Sequence, residues 1–174
     1  MFPDGLPPNI WIGMTVVDQN EADRDCDKLR KLKTAFPDAK AFVSIEPMLG
    51  PINLSAYANW LDWVIVGGES GTKARPMHPA WVRSIRDQCE AANIPFFFKQ
   101  WGEWLGGEMN DFGEFQRFDA ASDSAFILKN YDHDRVHFFE PDMFPGGPVG
   151  VRVGKKAAGD KLDGLQHHNW PVVR

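Results

Sequence analysis

The sequence predicts an α/β protein built as half of a β/α barrel, about four parallel strands followed by a β-hairpin-rich insertion. Three observations carry this. Four short apolar runs each end in a polar cluster, and helical patterns separate the first pair and the last pair. The runs are nearly continuous and do not alternate, which marks strands buried on both faces as in parallel sheets. From Trp101 onward the pattern changes to turn signals separated by short aromatic segments.

The first run, Asn9-Ile10-Trp11-Ile12-Gly13-Met14-Thr15, leads into Val16-Val17-Asp18-Gln19. A helix is expected from Glu21 to Phe36, with Asn20 as N-cap and Glu21 and Asp23 near the positive end of its dipole. Ala22, Cys26, Leu29, Lys33 and Phe36 share one face, where the Lys33 stem snorkels, and Pro37-Asp38 ends the helix. The second run, Ala41-Phe42-Val43, ends in Ser44-Ile45-Glu46-Pro47. A loop with one short helical turn should lead from Pro47 to Leu61. The third run, Trp63-Val64-Ile65-Val66, ends in Gly67-Gly68-Glu69-Ser70. A second helix is expected from Pro79 to Ala92, since proline suits a first turn and Val82, Ile85, Cys89 and Ala92 form a buried stripe. The fourth run, Pro95-Phe96-Phe97-Phe98, ends in Lys99-Gln100-Trp101.

Beyond it, Gly106-Gly107, Asn110-Asp111, Asp132-His133 and Pro145-Gly146-Gly147-Pro148 read as turns. Phe112–Phe118, Phe126–Leu128 and Val136–Phe139 between them read as hairpin strands. The chain thus divides into a half barrel (1–102), an acidic aromatic insertion (103–150) and a basic tail (151–174) packing on the same domain. Four strands cannot close a barrel, for which about eight are usual. The open edges are expected to be hidden by a homodimer or by the chain's own C-terminal segment, with the hairpins of 112–139 taking part.

Composition narrows the function. A chain of 174 residues that is 43% hydrophobic builds one real core. No apolar stretch approaches the ~20 residues of a membrane helix. Met1-Phe2-Pro3-Asp4 has no basic start or apolar segment, so a cytoplasmic protein is expected. The formal charge of −5 argues against a general nucleic-acid surface. Residues 103–148 carry ten acids against Arg117, Lys129 and Arg135, so the acidity belongs to the insertion. Cys26 and Cys89 each fall on an apolar helix face and read as reduced, buried thiols.

In a parallel sheet function gathers at the carboxyl ends of the strands, which puts the four polar clusters on one rim. In Gly67-Gly68-Glu69-Ser70-Gly71, glycines let a backbone approach a ligand, and Glu69 could accept from an amine; the same string also serves as a tight turn. Glu46 and Lys99 sit between core and solvent, where charged groups pair. They are candidates for acid/base and anion contact, with Ser44 and Gln100 completing the set; the plainer reading is a salt bridge of Lys99 with Glu46 or with Glu69. Thr15 closes the first strand, and Asp18 beside it serves a site or caps the helix. Arg75 binds an anion or anchors its loop. Lys155-Lys156 reads as a solvated tail. His133 and His137 lack further ligands for a metal site, and His167-His168 has no partner visible in sequence. No phosphate loop, Ser-His-Asp set or metalloprotease motif occurs.

Several blocks match one family in order: Leu6-Pro7-Pro8-Asn9-Ile10-Trp11-Ile12-Gly13, Ser44-Ile45-Glu46-Pro47-Met48-Leu49-Gly50-Pro51, Asp62-Trp63-Val64-Ile65-Val66-Gly67-Gly68-Glu69-Ser70-Gly71, Ala74-Arg75-Pro76-Met77, Pro95-Phe96-Phe97-Phe98-Lys99-Gln100-Trp101-Gly102, Gly154-Lys155-Lys156-Ala157-Ala158-Gly159 and Leu162-Asp163-Gly164. They resemble the C-terminal half of a phage and prophage family of three-cysteine-motif, radical S-adenosylmethionine-like barrels whose reaction is not established. The resemblance implies, for full-length relatives, a [4Fe–4S] cluster and S-adenosylmethionine, and it places the protein in a bacterial host. In radical S-adenosylmethionine enzymes a Gly-Gly-Glu string grips the methionyl amine, but early in the barrel and not after the third visible strand. The clustered cysteines are missing here, and two distant cysteines do not make a C-x-x-x-C-x-x-C run. The chain then reads as a split-enzyme half awaiting a cysteine-bearing N-terminal half, or as an inactive remnant, with Met1 marking a truncation, an internal start or half of a split protein. The other reading is a phage-encoded interaction module whose acidic segment binds a host protein.

Overall fold

A computed structural model describes residues 6–7, 9–109, 115–117, 125–126, 135–139 and 147–172. Strand β1 (Trp11–Val16), helix α1 (Gln19–Ala35), strands β2 (Lys40–Ile45) and β3 (Trp63–Gly67), helix α2 (Pro79–Ala91) and strand β4 (Phe96–Gln100) follow in order. The strands form one parallel sheet in the order β1-β2-β3-β4, so each pairs with its sequence neighbour, as in half of a β/α barrel.

Both helices lie within about two residues of their expected ends. The start of α1 differs: Asp18, not Asn20, is the N-cap, its carboxylate accepting the Glu21 N–H at 2.9 Å. Glu21 reaches back past the cap to accept the Val17 N–H at 3.1 Å, so both acids hold backbone donors at the helix entry. His78 caps α2 through Nδ1, which accepts from Ala80, and Pro79 occupies the first turn. Between β2 and β3 a single helical turn forms, with the Ala58 N–H donating to Leu54 O at 3.0 Å. Lys33 does snorkel: its ammonium donates to Ala39 O at 2.6 Å and pairs with Asp62 at 2.8 Å.

The faces of the sheet differ. Ala41, Val43, Ile45, Val64, Val66 and Phe98 are fully buried against Ala22, Cys26 and Leu29 of α1 and Val82, Ile85 and Cys89 of α2. On the other face Gly13, Phe42 and Trp63 share one row, and Thr15, Ser44, Ile65 and Phe97 share the next. Trp63 stands at the centre of an aromatic layer there, with Trp11, Phe42 and Phe97 all within 5.9 Å between ring centroids.

The C-terminal third corrects the sequence reading. Strands β5 (Trp104–Met109), β6 (Phe115–Arg117), β7 (Ala125–Phe126), β8 (Val136–Phe138) and β9 (Gly147–Arg152) form an antiparallel sheet in the order β7-β6-β5-β9-β8. Its two longest strands, β5 and β9, were not among the expected hairpins. Gly106-Gly107 is not a turn but the middle of β5, because a side chain at Gly106 would meet Pro79 at 2.8 Å and the Trp101 ring at 3.0 Å. Gly147-Pro148 likewise opens β9, while Asn110-Asp111, Asp132-His133 and Pro145-Gly146 lie outside the described residues. Leu105, Met109, Phe115, Val149 and Val151 share one core with the parallel sheet.

The tail is ordered: helix α3 (Lys155–Ala158) precedes a hairpin of strands β10 (Lys161–Leu162) and β11 (Leu165–Gln166). It then covers the outer edge of β4. The Phe98 N–H donates to His167 O at 2.7 Å and the Asn169 N–H donates to Phe96 O at 3.2 Å. His168 is therefore not without a partner: its ring stacks on Phe97 at 4.6 Å, and its Nε2 lies 3.1 Å from Asp160. Trp170 lies 4.6 Å from the Trp63 ring, and the Trp63 indole N–H donates to Asn169 O at 2.9 Å. The edge is hidden by the tail: the described residues that cover it are His167, His168 and Asn169, and most of the expected hairpin segment 112–139 lies outside the described residues.

Candidate functional site

The carboxyl ends of β2, β3 and β4 bring Glu46, Gly67 and Lys99 together. The Lys99 ammonium donates to Glu46 Oε2 at 2.7 Å. Lys99 is about half exposed (52%) while Glu46 keeps 21% of its side-chain surface, so the pair spans the boundary between core and solvent. Glu46 Oε1 is buried and receives no hydrogen bond from the described protein groups. Its place is left open by Gly67, where a Cβ would come within 3.3 Å of the Glu46 carboxyl carbon. A carboxylate held at one oxygen and unsatisfied at the other retains the capacity to accept a further hydrogen bond. Thr15 and Ser44 stand one row below on the same face, so two hydroxyls lie between the charged pair and the row of Phe42 and Trp63.

Glu69 is not in this group. Arg75 grips it through Nε and Nη2, both at 2.8 Å, and through its backbone N–H at 2.7 Å. Of the two salt bridges open to Lys99, the fold forms the one with Glu46, and Arg75 anchors its own loop. The Arg75 guanidinium, as the main cause, pulls the Glu69 carboxyl down to about 2. Because the folded value lies below the unfolded one, the stability this contact adds is present above the ordinary value of about 4.3 and disappears as pH falls toward 2. Glu69→Gln is therefore expected to lower stability at pH 6 more than at pH 3, read from urea melts; an equal loss at both would show that the charge is not what holds the loop.

Gly68 serves backbone contact. A Cβ there would lie 1.9 Å from Trp101 O, and one on Gly102 would lie 2.1 Å from Glu69 O. The chains leaving β3 and β4 touch here, with Gly68 N–H donating to Gln100 O and Glu103 N–H donating to Glu69 O, both at 2.9 Å. The Gly68 amide is thus spent within the fold. Gln100 is tied to the same crossing, donating from Nε2 to Gly68 O at 2.9 Å, and its Oε1 is buried without a donor. It also lines an open recess of about 410 Å³ with Lys155, Lys156, Gly159 and Asp160. Ser70 is exposed at the loop entrance. Arg152 fixes that loop from β9, donating to Gly71 O at 2.8 Å and Thr72 O at 2.9 Å.

The cysteines lie away from the rim, on the buried faces of α1 and α2. Burial, with nearby aspartates, pushes the Cys26 thiol up to about 11, and burial alone pushes Cys89 up to about 12. Neither is placed or activated as a thiolate ligand, and a cluster held by three clustered thiolates does not fit them. Among the described residues no group of three or more His, Cys, Asp or Glu gathers as a metal site, and no helix is long and apolar enough to cross a membrane. His133 lies outside the described residues, and His137 packs edge-on against Trp104 and Phe139.

Sequence reasoning missed the aromatic layer beneath the rim. Its signal was present: Trp11 and Gly13, Phe42 and Ser44, and Trp63 and Ile65 are the alternate positions of their strands. Trp170 carried no local signal, because its partners lie in strands far upstream.

Fold and rim together define an α/β protein of the partial β/α-barrel kind, with a charged pair at the carboxyl ends of its parallel strands. The chain belongs to the family described as Protein of unknown function (DUF5131), which it matches over residues 2–171. No curated protein and no solved structure matches it.

Proposed function

We propose that this chain is the substrate-side half of a phage-type, radical S-adenosylmethionine-like enzyme, and that a cysteine-bearing half supplies the cluster. The observation that carries this is the division of chemistry. The Glu46–Lys99 pair and the hydroxyls of Thr15 and Ser44 stand at the functional end of a parallel sheet, while both thiols are buried behind it. The cluster, when present in the other half, would supply electrons. The part left to this chain is to bind and orient, with Lys99 contacting an anionic group and Glu46 accepting from a donor or moving a proton. The Gly-Gly-Glu string does not fit the role of gripping an amine, since Arg75 already fills both Glu69 oxygens. Catalysis by this chain alone is not expected. The rival reading, a module that binds a host protein through acidic segment 103–148, rests on acids of which only Glu103 and Glu108 are described, and Glu103 already accepts from Gly71 N–H at 3.2 Å.

Anaerobic reconstitution tests the proposal. The chain alone is expected to retain no stoichiometric iron. Mixed with the cysteine-bearing half of a full-length family member, it should form a one-to-one complex that binds S-adenosylmethionine, and Lys99→Met should weaken that binding while the complex persists. Stable stoichiometric iron on the isolated chain, or no complex with the other half, would overturn it.

A further inference from the structure

One row at the end of the parallel sheet carries two buried acceptors without a donor. Ile45 pairs with Val66, and one step further on Gly67 pairs with Gln100. Glu46, Gly67 and Gln100 thus stand side by side at the carboxyl ends of β2, β3 and β4. The middle position has no side chain, and the Glu46 carboxyl group lies over it, 3.3 Å from where a Cβ would be. Glu46 Oε1 on one flank and Gln100 Oε1 on the other are both buried, and neither receives a hydrogen bond from the described residues.

The groups around them are already engaged. Glu46 Oε2 accepts from Lys99 at 2.7 Å, and Gly67 O accepts from the Met48 N–H at 3.0 Å. Gly68 O accepts from Gln100 Nε2, and the Gly68 N–H donates to Gln100 O, both at 2.9 Å. Buried acceptors left without a donor destabilise a fold. Two of them on either side of one glycine mark a place for donors from outside the chain.

We infer that this row is the recognition subsite of the rim, and that it takes a neutral N–H₂ group lying beside an acceptor, as in a primary carboxamide or the amino edge of an N-heterocycle. The inference rests on the reading of the rim as a substrate site and adds the class of substrate. Two free acceptor oxygens match the two hydrogens of an N–H₂ group. The Lys99 ammonium has three N–H bonds and places one on Glu46, so it can donate to the acceptor next to that group. The ligand is neutral there because Lys99 already balances the Glu46 charge and Gln100 carries none; a cation would face the Lys99 ammonium. Gly67 sets the size, since any side chain at this position enters the space held by the Glu46 carboxyl. Both oxygens are shut from solvent, so entry needs a moving part, and half-exposed Lys99 is the one the row offers. Gln100 also borders the open recess of about 410 Å³, which has room for the rest of the molecule.

The test titrates the full ¹⁵N-labelled chain with four probes at neutral pH, following the Gly67 amide and the Gln100 side-chain amide by NMR. Benzamide and 4-aminopyrimidine carry the N–H₂ group beside an acceptor; benzoate lacks the donors, and benzamidine is a cation that lacks the acceptor. Benzamide or 4-aminopyrimidine should shift both signals saturably, and whichever binds more tightly names the carboxamide or the heterocycle as the source. Benzoate and benzamidine should bind at least about tenfold more weakly. Gly67→Ala should weaken the better probe by at least about tenfold, because its methyl group occupies the space over the carboxyl. Gln100→Met, which removes one of the two acceptors, serves the same purpose if circular dichroism shows that Gly67→Ala is unfolded. Benzoate binding as well as benzamide would reduce the site to lysine attraction and overturn the inference. Tighter benzamidine, undiminished binding by a folded variant, or no binding of either N–H₂ probe would also overturn it. None of these outcomes touches complex formation with the cysteine-bearing half, on which the functional proposal is judged separately.

Discussion

Replacing Gly68 by alanine is expected to cost about 4 kcal/mol or more, the range reached when a side chain is forced into main chain that has no room to yield. The new methyl carbon would sit 1.9 Å from the carbonyl oxygen of Trp101. Relief would require separating the chains that leave β3 and β4, breaking the bonds from Gly68 N–H to Gln100 O and from Glu103 N–H to Glu69 O. Gly71→Ala is the control. That residue has φ +103° but nothing within 4 Å of a Cβ, so only conformational strain of about 1–2 kcal/mol applies. Guanidinium melts of the two variants separate the cases. Near wild-type stability for Gly68→Ala would mean that the crossing is adaptable and the glycine is there for another reason.

Trp101→Ala is expected to cost about 3–5 kcal/mol, the usual loss for emptying a buried tryptophan site. Trp101 follows directly on Lys99 and Gln100 and is 1% exposed. Its ring lies 5.1 Å from Phe98 and would be the neighbour of any side chain at Gly106, and its indole N–H donates to Lys161 O at 2.8 Å. One residue thus joins the parallel sheet, the antiparallel sheet and the tail hairpin. Trp101→Phe keeps most of the volume but leaves Lys161 O without its donor, so about 1–2 kcal/mol is expected. Melts followed by circular dichroism check both, and a loss below about 2 kcal/mol for the alanine variant would show that the three parts hold together without it.

The strands and helices of the half barrel were legible because their signals are local. Apolar runs of strand length, Pro79 at a helix start and Pro37 at a helix end act within a few residues. The start of α1 needed a finer cue, the Asp18 and Glu21 spacing, which outranks Asn20. Strand β5 was hidden because two glycines in sequence mean a turn unless something distant needs the space. Here Pro79 and Trp101 need it, and no pattern near residue 106 could reveal them. The site was half legible. Glu46 and Lys99 were found because each ends an apolar run, and charge at that boundary seeks a partner. The choice between Glu46 and Glu69 depends on β2 and β4 flanking β3 and on Arg75, six residues downstream, turning Glu69 aside. The purpose of Gly68 depends on where two chain segments cross, which is a property of the assembled sheet.

The tail that closes β4 has a consequence for synthesis. The bond from Trp63 to Asn169 joins residues 106 apart in sequence. The four strands are complete once Gln100 has left the ribosome, but His167, which caps their edge, is still to be made. At about 5–20 residues per second, the nascent sheet waits on the order of 3–13 seconds with that edge bare. Throughout this interval the growing polypeptide offers unpaired backbone beside Phe96, Phe97 and Phe98, a template for neighbouring nascent chains on the same message. Translation speed between residues 100 and 167 therefore bears directly on how much of the product escapes aggregation.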